Sequence, residues 1–173
     1  MNKPAKKINP LDSDLIKIAE AKHHDPFSVL GRHTDKAKTT ITAYLPHAET
    51  VSIVGQKVAM QRIAGSDFFR TDNVPKTLER YYRFEITDKS GHYYEQYDPY
   101  SFDTQLTEFD QHLFGEGKHW HIYKKLGAHL HTIEGIQGVL FTVWAPAAGR
   151  VSVVTEFNNW DGRCHPMRVL GSS

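Results

Sequence analysis

Residues 41–55 read ITAYLPHAETVSIVG and residues 141–155 read FTVWAPAAGRVSVVT, one pattern met twice at a displacement of 100 positions without a gap. Thr42 and Thr142, Pro46 and Pro146, Ala48 and Ala148, Val51 and Val151, Ser52 and Ser152, and Val54 and Val154 are identical pairs. The strings LGRH at 30–33 and LGAH at 126–129 precede the copies, and MQRI from Met60 and MRVL from Met167 follow them. Ile41, Ala43 and Leu45 alternate with Thr42 and Tyr44, the period of a strand with one buried face. Self-similarity of this kind predicts one β unit built twice.

The rest of the first copy continues in short β segments. A turn around Pro46 and His47 leads into 51–54, and 68–70, 81–86 and 93–97 follow, with Ser90-Gly91 as a tight hairpin turn. Upstream, Asp12 or Ser13 can cap a helix that places Leu15, Ile18, Ala19 and Lys22 on one face, and Pro26 is expected to stop it. The resulting fold class is all-β: two tandem immunoglobulin-like β-sandwiches with a short N-terminal helix. The expected division is a tail and helix over 1–24, a first sandwich over 25–103, a connector over 104–125 and a second sandwich over 126–173. A short helical turn is expected in the connector near 108–113. The first copy runs on past its MQRI segment to DPYSF at 98–102, whereas the second reaches Ser173 directly after MRVL. The second sandwich is therefore expected to lack its final strands, leaving its core and a sheet edge uncovered.

Charge narrows the partners. Twenty-one basic against 20 acidic side chains leave a formal charge of +1, so no whole-chain field gathers nucleic acid or anionic membrane. Lys3, Lys6 and Lys7 make a short basic start, read as a solvated end. No apolar run approaches a membrane span and 1–10 has no export h-region. A lone Cys164 cannot staple a secreted fold, and the cytoplasm is the expected compartment.

Catalytic constellations are missing. Asp25, Asp72, Asp98 and Asp161 sit where turns and caps want a carboxylate, and there is no GxSxG elbow or phosphate-cradling glycine loop. Cys164 and His165 are adjacent and point to opposite faces of a strand. His119 with His121 and His129 with His131 are two-residue pairs, too few for a closed zinc site. No catalytic residue, cofactor or metal is expected.

Aromatic residues, 12% of the chain, exceed what a core of this size needs. Trp144 occupies the repeat position of Tyr44 and is expected in the core; Trp120 is expected to pack at a hinge, and Tyr93, Tyr94, Tyr97 and Tyr100 along a sheet face. Trp160 stands instead in a turn, Phe157-Asn158-Asn159-Trp160-Asp161-Gly162. An indole held there either packs under its own loop or offers a flat apolar face to the C–H face of a pyranose, whose hydroxyls Asn158 and Asn159 can bond.

DPFSVLGRH at 25–33, DPYSF at 98–102, YKKLGAHL at 123–130, GVLFTVWAPAAGRVSVV at 138–154 and FNNWDGRCHPM at 157–167 resemble the N-terminal part of bacterial glycogen branching enzymes. The resemblance implies that the second sandwich is of the carbohydrate-binding family 48 type, and that a catalytic barrel follows in complete enzymes. It also implies an α-glucan such as glycogen as the partner, with Trp160, Asn158 and Asn159 as glucan-binding residues. The barrel motifs that carry the two working carboxylates are absent from these residues. The leading reading is a non-catalytic part of a branching enzyme that contributes glucan binding and chain-length control. FNNW also resembles the glycogen-binding loop of a kinase β subunit, so a self-standing glycogen-binding or regulatory module is the alternative, and a purely structural sandwich pair a third. One departure is local: related modules carry Gly-Asp or Gly-Ser before Phe-Asn, where this chain has Thr155-Glu156.

Overall fold

The computed structural model describes residues 12–36, 38–56 and 58–170. The basic start at Lys3, Lys6 and Lys7 lies outside the described residues. Helix α1 (Ser13–Ala19) is capped by Asp12, carries Asp14 in its first turn and buries Leu15 and Ile18. Its end differs from the expectation. Ala21 takes a left-handed φ of 59°, and the Lys22 amide donates to the Lys17 carbonyl at 2.7 Å, closing the helix well before Pro26. Alanine in that conformation costs about 1 kcal/mol. Pro26 opens a separate 3-10 turn (Pro26–Ser28) capped by Asp25.

Ten strands follow. β1 (Gly31–Asp35), β2 (Lys38–Tyr44), β5 (Gln61–Arg62) and β6 (Phe68–Thr71) form one antiparallel sheet in the order β1-β2-β6-β5. β3 (Ala48–Ile53), β4 (Val58–Ala59), β7 (Arg83–Asp88) and β8 (Tyr93–Tyr97) form the other, ordered β4-β3-β7-β8. Between them lie Ile41, Ala43, Val51, Ile53, Phe69, Phe84 and Ile86. Each such large side chain contributes about 2 kcal/mol by leaving water. The outer face of the first sheet is not solvated: α1 lies on it, and Leu15, Ile18, Leu30, Tyr44, Ile63 and Phe68 make a second core. The alternation read from 41–45 is thus incomplete as a burial pattern, because Thr42 and Tyr44 are buried too. The chain is all-β with antiparallel sheets, as the sequence leads one to expect.

A connector with α2 (Glu108–Gly115) leads to a hairpin of β9 (Gly127–Ile133) and β10 (Ile136–Thr142). Thr107 and Asp110 form the capping box of α2, and Asp110 also accepts from the His119 ring at 2.9 Å. These bonds, that of His119 foremost, hold the Asp110 carboxyl well below the usual carboxylate range.

Hydrogen bonds repeat along with the sequence. Gly31 pairs with Thr42 across β1 and β2, and Gly127 with Thr142 across β9 and β10. His33 donates to the Leu30 carbonyl at 2.9 Å, and His129 to the Leu126 carbonyl at 2.8 Å. Met60 donates to Val51 and Met167 to Val151, both at 2.9 Å. Ala48 donates to Leu45 and Ala148 to Ala145. Among the described residues β10 pairs with β9 alone, whereas β2 lies between β1 and β6. Tyr44 is 5% exposed beneath Phe68 and α1; Trp144, at the same repeat position, is 59% exposed. The core place expected for Trp144 is corrected: it is exposed and makes an edge contact with the Phe114 ring of α2, centres 5.0 Å apart. Leu130, Val139, Phe141 and Val143 are exposed as well. Among the described residues no helix is long and apolar enough to cross a membrane.

Candidate functional site

The turn at 155–163 is built by its own side chains. Thr155 opens a 3-10 turn (Glu156–Asn158): its hydroxyl accepts from the Phe157 amide, and Asn158 Oδ1 accepts from the Thr155 amide at 2.9 Å. This reciprocal cap is the local reason that Thr155 suits a place where related modules carry glycine. Asn158 Nδ2 donates to the Val153 carbonyl at 2.8 Å and to His165 Nδ1 at 3.0 Å. With 3% exposure and its amide engaged on both sides, Asn158 holds the loop; the expectation that it meets sugar hydroxyls gives way to that role.

Beyond this lock the chain turns sharply. Asn159 and Trp160 both adopt left-handed backbone, with φ of 52° and 58°. The Trp160 amide donates to Thr155 and the Asp161 amide to Asn158, each at 3.0 Å. Asn159 is exposed and the Trp160 indole is 68% exposed. Phe157, also exposed, stands three residues before Trp160 and meets the edge of His165 at 5.1 Å. Phe157 is not among the residues the sequence singles out for binding, although it shares the FNNW turn with Trp160.

Two arginines fasten this segment to the first sandwich. Arg163 chelates Asp161 with contacts of 2.7 and 2.9 Å, lies 5.5 Å from the Tyr44 ring centre and donates to the Ala19 carbonyl. Its hydrogen bonds hold Asp161 below the ordinary carboxylate value. Arg168 stacks on Phe27 at 4.3 Å and donates to the Phe102 carbonyl. Cys164 packs into the second core, where burial pushes its thiol up to about 12. Burial lowers the pKa of His165, whose Nδ1 is already taken by Asn158. A protonated thiol beside an occupied imidazole is not a nucleophile and its base.

The remaining candidates lie elsewhere. Asp25, Asp98 and Asp161 accept from the amides two residues on, as turn carboxylates do. Asp72 departs from that expectation: it bonds Lys38 and Thr40 across the sheet, and Thr71 makes the turn bond to Asn73 instead. The rings of His119, His129 and His131 bond Asp110, the Leu126 carbonyl and Gln105. Trp120, expected to pack at a hinge, is exposed. Tyr93 is exposed too, whereas Tyr100 packs at a tilt against Phe27, ring centres 4.7 Å apart.

Two family models match the chain. Residues 11–100 match "alpha-1,4-glucan branching enzyme GlgB, N-terminal domain", and 125–172 match "Carbohydrate-binding module 48 (Isoamylase N-terminal domain)". Among curated proteins, one named 1,4-alpha-glucan branching enzyme GlgB from Methylococcus capsulatus is 50% identical over 163 residues, covering 94% of this chain and 22% of that protein. Proteins of the same name from Cellvibrio japonicus and Synechocystis are 48% and 47% identical, covering 94% and 91% of this chain and 24% and 22% of theirs. The chain thus spans between a fifth and a quarter of the length of these relatives.

Proposed function

This chain belongs to the alpha-1,4-glucan branching enzyme N-terminal domain family, and from that premise we propose that it binds α-glucan through Trp160 as a non-catalytic part of a branching enzyme. The carrying observation is the exposed indole on a turn whose left-handed backbone is locked by Asn158. A fixed flat face loses little entropy when a pyranose stacks on it. Asn159 presents its carboxamide beside the indole as donor and acceptor for hydroxyls, and Asn158 positions both.

In this reading glycogen is the partner, the compartment is the cytoplasm, and the division at 25–103, 104–125 and 126 onward separates scaffold, connector and binding unit. The branching reaction, transfer of an α-1,4-glucan segment to a 6-hydroxyl, belongs to a catalytic barrel with paired carboxylates, to which this part delivers and measures chain. Native gel electrophoresis through glycogen tests the reading. The chain should be retarded and Trp160→Ala should run at its glycogen-free mobility. Equal retardation of the two, or none for either, removes the proposal.

A further inference from the structure

A cleft runs between the turn at 155–163 and the first sandwich, and it is not the indole site itself. Phe157, Asn158 and His165 line one side; His47, Tyr94 and Gln96 line the other. Tyr94 and Gln96 are two apart on β8 and so share a face. The cleft holds about 50 Å³, enough for about four waters or the hydroxyl-bearing edge of one sugar ring.

Its chemistry selects a ligand class. No lysine or arginine lines it, and its single acid, Asp98, is buried and bonded to the Tyr82 hydroxyl and the Tyr100 amide. An anion finds no fixed positive charge there, and a cation no free carboxylate. Beside Gln96 and Tyr94 the lining is largely apolar, with Ala43, Leu45, Ala48 and Phe84, a mix that suits the hydroxyls and the C–H faces of one sugar ring. The proton of His165 is also placed. Asn158 Oδ1 accepts from Thr155, so the amide nitrogen faces the ring and His165 Nδ1 must be the acceptor. The imidazole proton therefore sits on Nε2, and burial, by lowering the pKa, keeps the ring neutral near pH 7. The lining offers the imidazoles of His47 and His165, the Gln96 carboxamide, the Tyr94 phenol and the face of Phe157 to a neutral polyol.

The geometry points to this cleft as a second saccharide subsite, taking a glucosyl unit of the same α-glucan that stacks on Trp160, so that one chain bridges the two sandwiches. The inference rests on the glucan-binding reading and adds a residue set from the first sandwich to it. Phe157 links the two places: it lines the cleft and stands in the same turn as the indole.

Calorimetric titration of the whole chain with maltotriose and with maltoheptaose tests it, with Trp160→Ala and a Tyr94→Ala/Gln96→Ala double variant. The double variant should bind maltoheptaose about tenfold more weakly and maltotriose within about twofold of wild type, one or two hydrogen bonds being lost. Trp160→Ala should lose both ligands. Maltoheptaose affinity within twofold of wild type in a folded double variant overturns the cleft and leaves the Trp160 reading standing. Loss in the double variant with none in Trp160→Ala does the reverse, and no binding by wild type overturns both. Nitrogen-15 NMR of wild type gives a readout free of mutation: maltoheptaose should shift His165 Nε2, and an unmoved resonance at saturation overturns the subsite.

Discussion

Replacing Asn158 by alanine deletes three part-buried hydrogen bonds at once, to the Thr155 amide, the Val153 carbonyl and His165 Nδ1. A buried polar group left without a partner costs about 1–3 kcal/mol, and the shallow loop lets water reach some of the three. We expect a net loss of about 2–4 kcal/mol in the stability of the turn. Against it stand two non-glycine residues, Asn159 and Trp160, in left-handed backbone. Each is held there at a cost of about 1–2 kcal/mol, so the two effects are of equal size. Without Asn158 the turn relaxes in a substantial share of molecules. Apparent glucan affinity should fall by the fraction that keeps the binding geometry, about five- to thirtyfold, although Trp160 itself is intact. Affinity electrophoresis in glycogen reads the affinity, and amide exchange at Thr155 and Trp160 reads the turn. Asn158→Asp, which keeps the acceptor for Thr155 and loses the two donors, should fall between. Wild-type affinity and wild-type exchange in Asn158→Ala would refute this account of the loop.

Other expectations follow from the first sandwich and its contrast with the second. Burial pushes the Asp98 carboxyl up to about 6, against about 4 in the unfolded chain, so the native state holds its proton more tightly. Stability from this group is full below pH 4 and is lost as pH rises through 6, by about 3 kcal/mol; urea melts across that window should lose the slope in Asp98→Asn. Gly31 sits at a φ of +86°, where an added Cβ would stand 2.7 Å from Tyr100 Cβ, so Gly31→Ala should cost about 2–4 kcal/mol in thermal or urea melts. The β9–β10 hairpin has no third strand among the described residues, so amides of 126–170 should exchange faster than those of 30–100; equal protection would show a second unit as stable as the first.

The repeat carried most of the fold into view because its identities fall on positions that set register and turn bonds. Leu30 with His33 and Leu126 with His129 are legible as a pair of motifs, and the structure turns each into the same imidazole–carbonyl bond. Burial was less legible. Tyr44 and Trp144 occupy one repeat position with opposite exposure, because the cover over Tyr44 comes from α1 and Phe68, far away in sequence. The early end of α1 is not legible, because an alanine in left-handed backbone leaves no composition signal. At the turn, Trp160 was found from its flanking asparagines, yet Asn158 and Asn159 look alike in sequence while one is buried in the lock and the other exposed. Tyr94 and Gln96 line one cleft with His165 although they lie some 70 positions apart in sequence, a juxtaposition that no local pattern announces.

The chain has three tryptophans, and all three are exposed, which makes a direct test of the central claim possible. Selective nitrogen-15 labelling of tryptophan gives one indole resonance for each, and titration with maltoheptaose reports which ring meets the sugar. The Trp160 indole should shift and saturate while Trp120 and Trp144 stay within the linewidth. A stationary Trp160, or shifts of Trp120 or Trp144 as large as its own, would contradict the assignment of glucan binding to this turn.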